Sequence, residues 1–514
     1  MQKIIKWIIK YNQLTIVEFP QQYVWDLLQQ LSYSRKVFNR RLEKWQFEYT
    51  PCAMIRVGGE FIAPNPWNPP TSPITAIQTL HGYTDRLLRW AGEHGIQVQV
   101  QNQTPGSSVY EPHWEVFGTG LEFRHRQREV LRCMAMAPGG YIECPPAYGK
   151  THIMSAAAEL FPSARILMTA YNKSVYQAIA RRVRERVDPR TVYLHGENKP
   201  KSLIPHCRIV VCGLTSLEAV LAQGIDYDFC FIDEAHEATT EKRWDQLQKL
   251  VTPRIFCFSA TPKRADGSEF CLEGLSGPIR VRMSYQEAVQ YGIVTPVHVF
   301  WVPVRLSYNP CVRATLRNFK SVGLWHNDDR NKLIAAAAKC YPEDVQVLIM
   351  CETIQHVDKL HALLPEFTVL TGETACREAY ERRFFNGELK KVIATMIWRQ
   401  GVDFPALSVL IRADGQNSRI ADLQIPGRTS RLHTDKPSAD VVDFFDDFDP
   451  HLTRVSRERQ KAYQKYGWRQ QMLSVPQLLE GRFVSALDES DKKTIQASYA
   501  PLPTSTTHKA YQRL

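Results

Sequence analysis

No stretch of this 514-residue chain approaches the ~20 consecutive apolar residues that a bilayer-crossing helix needs, so a membrane-spanning bundle is excluded. The twelve cysteines include no Cys-x-x-Cys pair and no Cys/His cluster at zinc-finger spacing, which excludes a zinc-finger module. Several, among them Cys230, Cys257 and Cys351, lie inside apolar runs and read as buried thiols in a reducing compartment. Met1 to Lys10 is apolar but broken by Lys3, Lys6 and Lys10, so it lacks an uninterrupted signal-peptide core. Cytoplasmic residence, with no membrane partner, is the expectation. The chain also shows no internal repeat and no nuclease constellation.

What is there is an ordinary globular composition, 44% hydrophobic and 23% charged, with length enough for two to four domains. The formal net charge of +11 points to a polyanionic partner, because Lys and Arg gain affinity by displacing counterions from phosphates. A merely solvated basic surface is the other reading of charge alone.

Composition divides the chain. Residues 1–118 carry Gly58-Gly59, Pro64-Asn65-Pro66 and Pro69-Pro70, an amphipathic segment Thr84 to Ala91, and a strand-like Ile96 to Val100. They are expected to form a small α+β domain. From 119 to 291, helices alternate with short apolar strands at Arg165–Thr169, Arg208–Cys212, Phe229–Ile232 and Ile255–Phe258. A second set fills 292–450, at Val347–Met350, Thr368–Leu370, Lys391–Ala394 and Ser408–Ile411. Strands apolar on both faces belong in parallel sheets covered by helices, so the fold class is α/β, with two doubly wound domains in tandem. A basic segment and tail occupy 451–514.

The chemistry begins at Gly149-Lys150-Thr151, which matches the end of a phosphate loop. In such a loop backbone N–H groups and a helix amino terminus cradle phosphates, Lys neutralises charge and the hydroxyl holds Mg²⁺. Cys144 stands where that loop starts with Gly, and Pro145 and Pro146 lack N–H donors, so the cradle must rely on the amides from Ala147 and Tyr148 onward. Roughly 80 residues on, Asp233-Glu234 closes an apolar strand. Asp233 can hold Mg²⁺ through water and Glu234 can activate a water for attack on a γ-phosphate. A pair of acidic helix-capping residues is the structural alternative.

In this company the stretch 120–460 resembles the superfamily 2 helicases and translocases. Arg124 and Gln127 resemble the family's adenine-reading element, Gly149-Lys150-Thr151 motif I, and Asp233-Glu234-Ala235-His236 motif II. Ser259-Ala260-Thr261 resembles motif III, Thr395 with Gly401-Val402-Asp403 motif V, and Gln424 to Arg431 motif VI. The resemblance implies two tandem RecA-like domains and ATP with Mg²⁺ as cofactors. It gives Lys150, Asp233, Glu234, Gln424, Arg428 and Arg431 catalytic roles, with the two arginines as fingers on the γ-phosphate. His236, Ser259, Ala260 and Thr261 would couple hydrolysis to motion, and Thr151 and Asp233 would hold the metal. Gly401 and Asp403 would lie against the ribose, and Thr395 and Arg264 on the nucleic-acid side. The Thr-Pro-x-Arg-x-Asp-Gly tail from Thr261 to Gly267, with Asn327, Arg330 and Asn331, resembles the DNA-acting branch of UvsW-type phage helicases, XPB-like helicases and type III restriction motors.

The implied function is an ATP-dependent DNA helicase or duplex translocase working on duplex, forked or branched DNA, with single strands also possible tracks. It would serve replication, recombination or repair. The motor subunit of a restriction or nuclease complex is a first alternative, with a nuclease partner. A nucleic-acid-binding protein with a weak regulatory ATP clamp is a second, prompted by Pro145-Pro146. Beyond 450, Arg454, Arg457, Arg459, Lys461, Lys465 and Arg469 interleave with Tyr463, Tyr466 and Trp468. That pattern suits either a nucleic-acid fork contact or a helix docked on the second domain. Trp67, Trp90 and Trp114 are read as core or interface residues.

Overall fold

The computed structural model describes residues 4–39, 44–104, 112–115, 123–239, 241–260, 267–315, 318–398, 404–415, 426–430, 436 and 438–473. The chain gathers into two compact units, one of Met1–Cys144 with Gly149–Met283, the other of Pro145–Tyr148 with Ser284 onward.

The first unit contains two large sheets. The amino-terminal one is mixed, in the spatial order Glu60–Ile62, Ala53–Val57, Ile74–Leu80, Gln13–Val17, Ile4–Lys10, Gln97–Asn102. Its last pair is parallel and the rest antiparallel. In Ile4–Lys10 the buried residues are Ile5, Trp7 and Ile9, the period of two that turns one sheet face inward. Helices Val24–Gln30 and Thr84–Glu93 cover that face. The predicted amphipathic segment falls within the second helix and buries Leu87, Trp90 and Ala91. Trp90 Nε1 donates to Asp26 Oδ2 at 2.7 Å. Trp67 and Trp114 are 76% and 39% exposed, so neither is a core residue. Trp67 sits in the proline-rich connection between Glu60–Ile62 and Ile74–Leu80, edge-on to Tyr49 and outside the core.

The other sheet is parallel throughout and runs Val192–Leu194, Ile209–Gly213, Ile166–Ala170, Phe229–Asp233, Arg254–Ser259, Gly139–Glu143, Ile279–Arg282. All four predicted apolar runs are strands here, shifted by at most a residue or so. The strand Ile279–Arg282 exposes Ile279, Arg280 and Arg282 at the sheet edge, so an apolar-run criterion does not see it. The mixed sheet is fastened to this layer through helix Glu269–Ser276. Tyr83 donates from its hydroxyl to Phe270 O at 2.9 Å, and Arg86 grips Glu273 with two bonds of 2.9 and 2.6 Å. A Cβ on Gly82 would overlap the backbone of Glu273 and Gly274, so this approach needs glycine.

The second unit holds a parallel sheet in the order Thr368–Leu370, Lys391–Ala394, Val347–Met350, Val409–Arg412, Ala439–Asp446, Val297–Val304, Arg469–Met472. Parallel neighbours require crossover connections, which gives the doubly wound α/β arrangement twice along the chain. Helix Pro450–Tyr466 starts on Asp449, whose carboxylate accepts from His451 N and Leu452 N, and stops at Gly467 with φ +90°. It docks: Leu452, Val455, Arg459 and Tyr463 are buried, while Arg454, Arg457, Lys461 and Lys465 face solvent. The aromatic members Tyr463 and Trp468 are core residues with centroids 5.2 Å apart, which removes them as fork contacts. Among the described residues no helix is long and apolar enough to cross a membrane.

Candidate active site

Strand Gly139–Glu143 leads into the candidate phosphate loop, and helix Lys150–Leu160 leaves it. Two loop residues take left-handed backbone, Ala147 at φ +67° and Gly149 at φ +99°. For Ala147 this costs about 1–2 kcal/mol, a strain typical of functional turns. No side chain caps the helix at Gly149, so its first N–H groups stay available to an anion. Gln127 is 1% exposed, and its Oε1 accepts from Arg124 N at 3.0 Å. A Cβ on Gly149 would come 2.8 Å from Gln127 Nε2, so the glutamine amide lies directly against the loop and only glycine leaves it room. Arg124 itself is exposed beside it.

Parallel register puts the carboxyl ends of three strands side by side, with Asp233 opposite Phe258 and Ser259 opposite Glu143. Lys150 crosses to them from the helix start. Its ammonium donates to Glu234 Oε1 and lies 3.4 Å from Asp233 Oδ1. Burial would lower the lysine pKa, but the charges of Asp233 and Glu234 outweigh it and hold Lys150 above its ordinary value, so it stays an ammonium. Asp233 is pushed up by burial, with Lys150 pulling the other way. Cys144 is pushed by burial to about 12, which keeps it a thiol and removes it as a nucleophile.

Glu234 occupies φ +48°, a second non-glycine residue in the left-handed region, and its N–H bonds to Asp233 Oδ1 at 2.9 Å. His236 is fully buried, with Nδ1 2.7 Å from Ser259 Oγ and 3.5 Å from Glu234 Oε2. The two stretches that the sequence pairs as motifs II and III are thus joined by one short hydrogen bond. Ala260 is buried next to them, and Thr151 is half-buried in the first helical turn.

In the second unit, Thr395 is buried and donates through its N–H to Leu370 O at 3.1 Å. The turn Pro426–Ser430 is described, with Gly427, Thr429 and Ser430 buried. Sequence reasoning missed Lys436. Its buried ammonium donates to the carbonyls of Thr429 (2.9 Å), Pro405 (2.7 Å) and Leu407 (3.2 Å), and so pins the turn from behind. A lysine beside a proline carries no sequence signal for that task. Missed too was a buried array in which Arg330 pairs with Asp446, Arg412 with Asp414, and Arg459 with Asp443. Its charges balance, as burial demands. Thr261, Arg264, Gly401, Asp403, Gln424 and Arg431, and the side chain of Arg428, lie outside the described residues.

Comparison with known proteins follows the same layout. Residues 120–264 match the family model of the type III restriction enzyme res subunit, and residues 331–433 that of the helicase conserved C-terminal domain. A candidate helicase, number 22, of Sulfolobus islandicus filamentous virus (isolate Iceland/Hveragerdi) is 24% identical over 243 residues, which is 42% of this chain and 42% of that protein. The DNA 3'-5' translocase XPB2 of Sulfurisphaera tokodaii is 22% identical over 360 residues, 60% of this chain and 79% of that one. The chain thus spans less than half the length of the first relative. Among solved structures, the ATP-dependent type ISP restriction-modification enzyme LlaBIII bound to DNA shares the fold over 72% of this chain and 33% of its own, with 13% identity and a TM-score of 0.53. Dbp5 of S. cerevisiae, bound to RNA and ADP BeF3, shares it over 74% and 96%, with 15% identity and a TM-score of 0.51. With both family models lying in order on the two parallel-sheet domains, the chain belongs to the superfamily 2 helicases and translocases and is related to the restriction-enzyme motor proteins.

Proposed function

We propose that this protein is an ATP-driven DNA helicase or duplex-DNA translocase that remodels forked or branched DNA. The observation that carries the reading is the Lys150 ammonium held by Asp233 and Glu234 at the mouth of an uncapped helix. The net negative balance of these three groups calls for a cation, and the uncapped helix start beside them for a phosphate, the pair that a metal-bound nucleotide brings together. Lys150 would turn from the carboxylates to the phosphates, the N–H groups from Ala147 to Thr151 would hold phosphate oxygens, and Gln127 with Arg124 would read the base. Among the described residues no cluster of three His, Cys, Asp or Glu would bind a metal unaided. That suits Mg²⁺, which arrives with nucleotide phosphates and needs one or two protein oxygens. Thr151 and Asp233 are the residues that would hold it, and when bound it supplies charge neutralisation at the β- and γ-phosphates.

Glu234, freed by the departing lysine, would orient the attacking water and take its proton as the water oxygen bonds to the γ-phosphorus and the bond to ADP breaks. The His236–Ser259 bond would report that change to the segment after Ser259. Arg428 and Arg431, from the second domain's motif, are assigned to the γ-phosphate by the family pattern. DNA as the track draws on the net charge of +11 and on the match to a DNA translocase.

Steady-state ATPase with no nucleic acid, single-stranded DNA, blunt duplex, a four-way junction and RNA tests this, with Glu234→Gln as the control. Strong stimulation by duplex or branched DNA is expected, and stimulation by RNA alone would reassign the track. The res-subunit match over 120–264 favours one second reading, the motor of a restriction or nuclease complex. A nuclease co-purifying with the chain would support that reading.

A further inference from the structure

Strands Ser32–Asn39 and Lys44–Pro51 pair antiparallel as a ribbon of their own, outside the six-stranded sheet. Directly opposed residues share a face. Ser34 with Tyr49 and Lys36 with Phe47 therefore lie on one side, Tyr33 with Thr50 and Arg35 with Glu48 on the other. The second side is anchored at the base of the ribbon. Tyr33 stacks on Phe270 with centroids 5.7 Å apart, and its hydroxyl accepts from Cys271 Sγ at 3.6 Å. Gly267, at φ +79°, lies so close that a Cβ there would meet Ser34 O at 3.3 Å.

The first side is open. Phe47 is 72% exposed, and Trp67, 76% exposed, stands edge-on to Tyr49 with centroids 5.5 Å apart. Lys36 is exposed across from Phe47. Large aromatics displayed this way mark a contact surface. The sequence of 32–51 is basic, with five Lys and Arg against two Glu, and on this face the described cation is Lys36, so the complementary partner is an anion with flat apolar faces. Cations interleaved with aromatic platforms are the means by which proteins grip unpaired nucleic acid.

We propose that the face formed by Lys36, Phe47, Tyr49 and Trp67 is a stacking platform for a single DNA strand. The assignment rests on the DNA-motor reading above and adds a strand contact that none of the helicase motifs supplies. Because the base of the ribbon packs on Gly267 to Cys271, shortly after Ser259 in the chain, the platform is carried by the unit that binds the phosphates.

The test uses the full chain with Phe47→Ala and Trp67→Ala combined, and Phe47→Trp separately. Affinity for a labelled oligo-dT and for a blunt duplex is measured beside DNA-free ATPase. The double variant should bind oligo-dT at least ~10-fold more weakly, about 1.4 kcal/mol and the worth of one base–aromatic stack. Its duplex affinity and DNA-free ATPase should be unchanged, and Phe47→Trp should keep the oligo-dT affinity. Oligo-dT affinity within twofold of the parent overturns the platform, as does an equal loss for oligo-dT and duplex. A parent protein whose ATPase responds to no DNA would instead defeat the motor reading, and the affinity comparison separates the two failures.

Discussion

Lys150 donates a hydrogen bond to Glu234, so the cation proposed to meet phosphates and the carboxylate proposed to activate water hold each other. Each has only one role at a time in this arrangement: a lysine on phosphate releases the glutamate. Lys150→Ala should therefore cut ATP turnover by about 10²-fold or more, the usual cost of losing one charge-stabilising donor, while DNA affinity stays within twofold. Normal turnover in that variant would remove the phosphate loop from the mechanism.

Glu234→Gln keeps the shape of the side chain and loses the base. The expected outcome is retained ATP binding with hydrolysis slowed by at least ~10²-fold, so that labelled ATP remains on the protein through gel filtration. Unchanged hydrolysis would place the base elsewhere.

Ser259→Ala removes one hydrogen-bond partner of the buried His236, 2.7 Å away, at a cost of about 1–3 kcal/mol in stability. If this bond carries the state of motif II onward, DNA-free ATPase should be nearly unchanged while stimulation by DNA falls several-fold. Equal stimulation in parent and variant would make the bond structural only.

Arg428→Ala should lower kcat far more than it raises the Kd for ATP, because a finger on the γ-phosphate acts mainly in the transition state. A pure affinity loss would argue for a binding role.

His356 is buried, with Nε2 3.0 Å from Asn331 Oδ1, and burial followed by the charge of Arg330 lowers its pKa to about 3. The folded state therefore disfavours the imidazolium relative to an unfolded chain titrating near 6.5. Stability is at its full value above pH 6.5 and falls as pH drops toward 3, by up to about 1.4 kcal/mol per pH unit from this group. His356→Gln should flatten the fall in the thermal midpoint between pH 6.5 and 5. An unchanged slope would assign the acid sensitivity to other groups.

Local sequence was enough to reveal the two parallel sheets and to single out the residues proposed for the first half of an ATP site. Strands buried on both faces must be apolar throughout, so Phe229–Asp233 or Val347–Met350 show themselves without any partner in view. Phosphate chemistry likewise restricts residue types so tightly that Gly149-Lys150-Thr151 and Asp233-Glu234 stand out. Tertiary structure alone decided the rest, because there the same residue type serves opposite ends. Lys436 and Arg459 look like surface cations, but carbonyls and Asp443 from distant segments make them core residues. In the basic segment after 450, Tyr463 and Trp468 went inward because helix Pro450–Tyr466 had a sheet to cover. Phe47 and Trp67 stayed outside because the ribbon and its flanking connection lie off any core. Burial depends on what the rest of the chain brings alongside, and local sequence does not contain that.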